Sequence, residues 1–236
     1  MNRWIEVPAA LAVGGALRLL FLPEPPMVLT PEKRAAFEQL AAAALKGTGE
    51  ALDYGLPYPR YEFLRFLAAR GDLLFRGMPG PPLEVLAPTE NTDARQRRVR
   101  AVFASADPAW PLFFGTLQVR DAQAPVSLRN AAFAVGHGPR TRRYYYFSLN
   151  REFAATNPWA AATVYILPRA PFRPVGTGLV RFDEWLAEEP VRPLATLAVT
   201  PGDFPFRERI ATHDRREGMW KTWLLYRWRT RRRSRG

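Results

Sequence analysis

The stretch Val99–Thr116, VRAVFASADPAWPLFFGT, decides the fold. Val99 to Ala104 is a short apolar run rich in β-branched and aromatic residues, which predicts a buried strand broken at Ser105 by polar turn residues. Asp107 then offers a cap, and Pro108 takes the first helical position, where its missing N–H costs nothing. Trp110, Phe113, Phe114 and Leu117 follow at spacings of three and four, so one face of the helix is expected to be aromatic. The result is a strand–turn–helix unit with a polar corner, the kind of place where ligands are met on a rigid scaffold. An ordinary core unit is the competing reading, because packing alone produces such periodicity.

Composition sets the outer bounds. With 236 residues, 47% of them hydrophobic and 13% aromatic, the chain can bury a real core as one large or two small domains. Cys is absent, which excludes disulfides, thiol nucleophiles and cysteine-ligated metal, and two histidines, His137 and His213, exclude a multi-histidine centre. Lys and Arg total 34 against 22 Asp and Glu, a net charge of +12 carried almost entirely by Arg. Such an excess points to a polyanionic neighbour, either nucleic acid or the phosphates of a nucleotide; a compositional bias toward Arg, Ala and Pro is the alternative source. The apolar run Val7–Leu22 is broken by Arg18 and too short to span a bilayer, and Glu6 is wrong for a signal peptide. A cytoplasmic protein with no membrane partner and no metal is therefore expected.

Outward from the central stretch, Thr30-Pro31-Glu32 starts a helix that should end at Gly47, and Tyr61 to Ala69 reads as a second helix stopped by Gly71. Asp72 to Gly77 changes period to a short strand, and Leu83 to Leu86 reads as a brief one. Pro88 to Arg98 reads as a polar mobile segment and Arg120 to Asn130 as loop. Strands are expected at Arg142–Leu149, Thr163–Leu167, Leu179–Trp185 and Val191–Val199. A helix over Arg216–Trp228 would put Trp220, Trp223, Leu224 and Arg227 on one side. The reading is one α+β domain: residues 1–70 mainly helical, 71–213 β-rich, and 214–236 a basic aromatic helix and tail.

Several segments taken in order, PYPRYEFLRFL (Pro57–Leu67), DLLFRG, AVFASADPAWPLFF, YYYFSLN, TVYILPRAPF and EWLAEEPVRPLATLAVTPGDFPF, resemble an uncharacterised family of bacterial proteins across Pro57 to His213. That family's first strand usually ends in a Leu-His-Gly-Ser pattern, which is similar to the first strand of the ADP-ribosyltransferase fold. The resemblance implies a split, mainly antiparallel β core holding NAD in a cleft, with Arg76 standing where His is common. It implies catalytic roles for Arg76 and Glu184, with Glu188 and Glu189 as rivals to Glu184. It also implies NAD contacts from Arg76, Gly77, Ser105 and Tyr145, the last with Tyr144 and Tyr146 as an aromatic wall. Such a set suits the chemistry, because breaking the nicotinamide–ribose bond builds an oxocarbenium-like charge that a carboxylate can stabilise, while an Arg fork grips a diphosphate.

A second class of function fits the charge. Arg95, Arg97 and Arg98 together with Trp228, Arg229, Arg231, Arg232 and Arg233 make a candidate nucleic-acid surface, since aromatics interleaved with Arg suit single strands. The same tail also reads as Trp residues packing a helix while the arginines stay solvated. His137, in Val-Gly-His-Gly-Pro, reads as a loop residue, and His213 is placed to pair with Asp214.

Overall fold

A computed structural model describes residues 18–93, 95, 97–119, 122–135, 142–175 and 183–233. The elements run β1 (Leu22–Pro23), α1 (Pro31–Ala44), α2 (Arg60–Ala68), β2 (Leu73–Pro79), β3 (Thr89–Thr92), β4 (Arg98–Ala104) and α3 (Ala109–Thr116). After them come β5 (Leu128–Val135), β6 (Arg142–Asn150), α4 (Arg151–Ala155), β7 (Ala162–Pro168) and β8 (Arg173–Pro174). The last are β9 (Trp185–Ala187), β10 (Ala195–Val199), β11 (Ala211–His213) and α5 (Met219–Arg233). The protein is α+β with mainly antiparallel sheets. Two compact units share the chain: Met1–Pro26, Val119–Pro158 and Phe206–Gly236 form unit 1, while Met27–Gln118 and Trp159–Pro205 form unit 2.

Unit 2 begins as its sequence requires. Thr30 Oγ1 accepts the Lys33 N–H at 3.3 Å, Pro31 fills the first turn of α1, and Gly47 ends the segment at φ +74°, where a side chain would be strained. In α2 Tyr61, Phe63, Leu64 and Leu67 are buried. Strand β2 pairs antiparallel with β7, Leu74 opposite Leu167 and Arg76 opposite Tyr165, and β7 pairs with β10. A second row runs β3-β4-β9-β8. The rows meet at a single bridge, Phe75 to Ser105, closed by N–H···O bonds of 2.8 and 2.9 Å. Leu74, Val102, Ala104, Tyr165, Leu167 and Ala187 bury one face of this combined sheet.

The central stretch folds as a strand, corner and helix, with Asp107 Oδ1 accepting the Ala109 N–H at 3.0 Å as the cap. The buried face of α3 differs from the expected one. Leu112 and Phe113 are buried, but Phe114 is 42% exposed, and Leu117 leaves the helix to bridge with Trp159. Gly77 and Gly115 cause this: they bring the backbones of β2 and α3 into contact, and a Cβ on Gly77 would lie 1.8 Å from Pro111 O. That approach turns the Pro111–Gly115 side of the helix to the sheet.

Other expectations are corrected in unit 2. Part of Pro88–Arg98 is ordered as β3 against β4, because the Asp93 carboxylate accepts the N–H groups of Arg95 and Arg97 at 2.9 Å each and ties the turn. Leu86 and Val191 form one isolated bridge, so strand β10 starts only at Ala195. The expected strand over Leu179–Trp185 lies largely outside the described residues, and β9 begins at Trp185.

In unit 1, β6 is the central strand, with β5 along one edge and β1 and β11 on the other. Strand β5 begins at Leu128, inside the segment expected to be loop, and pairs with β6 along its whole length. Buried Phe21, Phe133, Tyr146, Trp223 and Tyr226 stack into one cluster, Phe21 to Phe133 at 4.9 Å and Tyr146 to Tyr226 at 4.7 Å. The buried side of α5 is Thr222, Tyr226 and Thr230, not the expected Trp–Leu face. This helix also runs on to Arg233 instead of fraying after Trp228.

His213 does not pair with Asp214, whose carboxylate accepts the Arg216 N–H. The imidazole is buried between Ser148 Oγ, 2.8 Å from Nδ1, and Ser127 Oγ, 3.3 Å from Nε2. Burial, helped by Arg129, pushes its pKa down to about 4. The unfolded chain therefore binds the proton first. The stability this residue contributes is complete above the ordinary pKa of about 6.5 and is lost as pH falls toward 4. Thermal melts across that window should show a falling midpoint, and His213→Gln should flatten the decline.

Candidate functional site

Three expected site residues come from three neighbouring strands of unit 2. Ser105 closes β4, Arg76 follows Phe75 in β2 directly beyond the Phe75–Ser105 bridge, and Glu184 precedes β9, whose Trp185 pairs with Ala104. Register alone therefore gathers residues more than a hundred positions apart at one end of the row β2-β4-β9. Gly77 lies beside Arg76 and, as shown, is the contact point of α3.

Arg76 sits where β2 and β4 part. Its Nη1 donates to Phe103 O at 2.9 Å, the acceptor two residues before Ser105 on that edge of β4. A guanidinium thus takes the place of the next main-chain rung and lies in the opening between the strands. Alternation then separates the β-carbons of the two charged residues. Arg76 follows Leu74, whose cluster includes Ala104 and Tyr165, whereas Glu184 precedes Leu186, whose cluster includes Ala101 and Val175. The Val175 N–H to Glu184 O bond of 2.8 Å keeps Glu184 in that register. A ligand that meets both must lie across the opening between β2 and β4, not flat on one face.

The corner itself carries a feature that no motif announced. Asp183 places its carboxylate on the turn after β4: Oδ2 accepts the Ser105 hydroxyl at 2.7 Å and the Asp107 N–H at 2.8 Å, and Oδ1 accepts the Ala106 N–H at 3.0 Å. Two consecutive amides and a hydroxyl form an anion cradle, and Asp183 fills it. Its only trace in the sequence is adjacency to Glu184. Asp183→Ala should strand these donors and cost about 1–3 kcal/mol in thermal or urea melts.

The remaining expected residues lie elsewhere. Tyr145 belongs to unit 1, where it is fully buried and its ring packs on Phe147 and Phe206, with centroids 6.0 and 4.8 Å away. Tyr144 and Tyr146 are buried in the same strand, and burial pushes the Tyr146 phenol up to about 12. Glu188 and Glu189 are exposed beyond β9, and Glu188 pairs with Arg173 at 2.6 Å. In unit 2, Arg97 is bound to the buried Asp93 carboxylate at 2.7 Å, while Arg95 and Arg98 are exposed. In unit 1, Arg229 grips Glu217 through both terminal nitrogens, at 2.8 and 2.7 Å, so it anchors α5. Trp228 is 52% exposed, and Arg231, Arg232 and Arg233 form the last turn of the same helix. His137 lies outside the described residues.

No family model, no curated protein and no solved structure matches this chain. Among the described residues no cluster of His, Asp and Glu could hold a metal ion, and no helix is long and apolar enough to cross a membrane.

Proposed function

We propose that unit 2 is an ADP-ribosyltransferase-like domain that binds NAD or a related nucleotide at the opening between β2 and β4. The observation that supports it most is the register that sets Arg76, Ser105 and Glu184 at one end of three adjacent strands. In this reading Arg76 exchanges its Phe103 carbonyl partner for the diphosphate, and the Ser105 hydroxyl orients the ribose side. Glu184 stabilises positive charge at the ribose carbon as the nicotinamide bond breaks. Nicotinamide leaves with the bonding electron pair, and an acceptor nucleophile adds to that carbon and releases its proton.

Titration with NAD and ADP-ribose should raise the melting midpoint by mass action. Arg76→Ala should weaken binding roughly ten-fold or more, the loss of a charge-assisted hydrogen bond. Glu184→Gln should abolish nicotinamide release while leaving the midpoint and ADP-ribose affinity near those of the parent. A parent protein whose midpoint does not move with either ligand overturns the reading, as does nicotinamide release that survives Glu184→Gln.

A further inference from the structure

Helix α5 carries a surface that the nucleotide reading does not use. Its inner side is closed by Thr222, Tyr226 and Thr230 and pinned by the Glu217–Arg229 pair. On the opposite side Trp220, Leu224 and Trp228 stand at intervals of four, 75%, 67% and 52% exposed, with Met219 at the helix start 47% exposed. Positions i, i+4 and i+8 form one line about 12 Å long. Exposed Lys221 borders this ridge, and from Met219 to the last residue the sequence has no Asp or Glu and ends in an arginine run.

We infer that this ridge is a docking face for an anionic lipid surface, with the indoles and Leu224 set into the headgroup boundary and the cations on the phosphates. An apolar line on a helix with cationic flanks and no acidic residue is the composition of an interfacial helix. Tryptophan also favours that boundary. Single-stranded nucleic acid fits the pattern less well, because the middle of the line is aliphatic and gives a base nothing to stack on. The Trp220 ring is also engaged edge-on by Trp223 at 5.2 Å. A second copy of the chain would bring like charge against like charge. The face needs no membrane-spanning segment, only a surface to lie on.

Co-sedimentation of the full chain with vesicles tests this. Equimolar phosphatidylglycerol–phosphatidylcholine vesicles should bind the protein in low salt and release it in high salt, while pure phosphatidylcholine vesicles should bind far less. The triple variant Trp220→Ser, Leu224→Ser, Trp228→Ser changes only exposed side chains and should melt with the parent while partitioning at least roughly ten-fold less. Equal partitioning of parent and variant at matched melting points overturns the inference. So does a ridge-dependent affinity for a thymidine oligonucleotide, or ridge-dependent dimerisation, in a protein that ignores the vesicles.

Discussion

Gly77→Ala is expected to strip unit 2 of its native packing. A Cβ at this position would sit 1.8 Å from Pro111 O, 2.6 Å from Pro111 C and 3.0 Å from Gly115 Cα, all of them main-chain atoms that no rotamer change can move. Helix α3 would have to lift from β2, opening the contact that also holds the corner at Ser105–Asp107. Overpacking in a core costs about 1–3 kcal/mol when side chains can give. Here nothing gives, so the loss should be about 3 kcal/mol or more, a large share of the ~5–15 kcal/mol that stabilises a typical domain. Gly55 is the internal control: a Cβ there meets nothing within 4 Å, and Gly55→Ala should stay within about 0.5 kcal/mol of the parent in urea melts. Matched midpoints for the two variants would mean that α3 does not rest on β2 as described.

Glu217→Gln should cost unit 1 about 3 kcal/mol and release α5. The carboxylate is 5% exposed and its Arg229 partner 13%, and Oε1 also accepts the Thr222 hydroxyl at 2.7 Å. Arg129 joins from β5, donating to Thr222 Oγ1 and to Glu217 O. Removing one charge from such a pair leaves the other buried and uncompensated, which is the expensive way to break it. Exchanging both, as in Glu217→Gln with Arg229→Met, should recover part of the loss. Hydrogen bonds from Arg229 hold the Glu217 carboxyl down at about 2, so this anchor is complete above the ordinary pKa near 4.5 and is lost as pH falls toward 2. His213 weakens the same unit at higher pH, so acid unfolding should proceed in two ranges, readable by far-UV circular dichroism. A Glu217→Gln protein that melts like the parent would show that packing around Tyr226, not the ion pair, fixes the helix.

How far the sequence could be read follows from where each element gets its instructions. Thr30-Pro31, Gly47, Gly71 and the three tyrosines of β6 carry local signals, a cap, two stops and a β-rich run, and their elements stand where expected. Strand β5, LRNAAFAV, has weak propensity and exists because β6 offers it an edge, information that lies in the partner and not in the segment. Helix α5 misled because its buried side is built from polar residues that find partners there, while its large apolar side chains face out, the reverse of the usual pattern. At the site, Ser105 was legible as a turn and Arg76 as a strand end. Asp183 was not, since its role depends on the fold carrying it back to a corner some eighty residues earlier.

The claim on which the rest turns is that Arg76, Ser105 and Glu184 converge on one ligand at the opening between β2 and β4. Amide chemical-shift mapping during titration with ADP-ribose addresses it residue by residue. The expected result is a single saturating set of shifts confined to residues 76–78, 103–107 and 183–185. Shifts that leave those three segments untouched, or a spectrum that does not change at all, would contradict it.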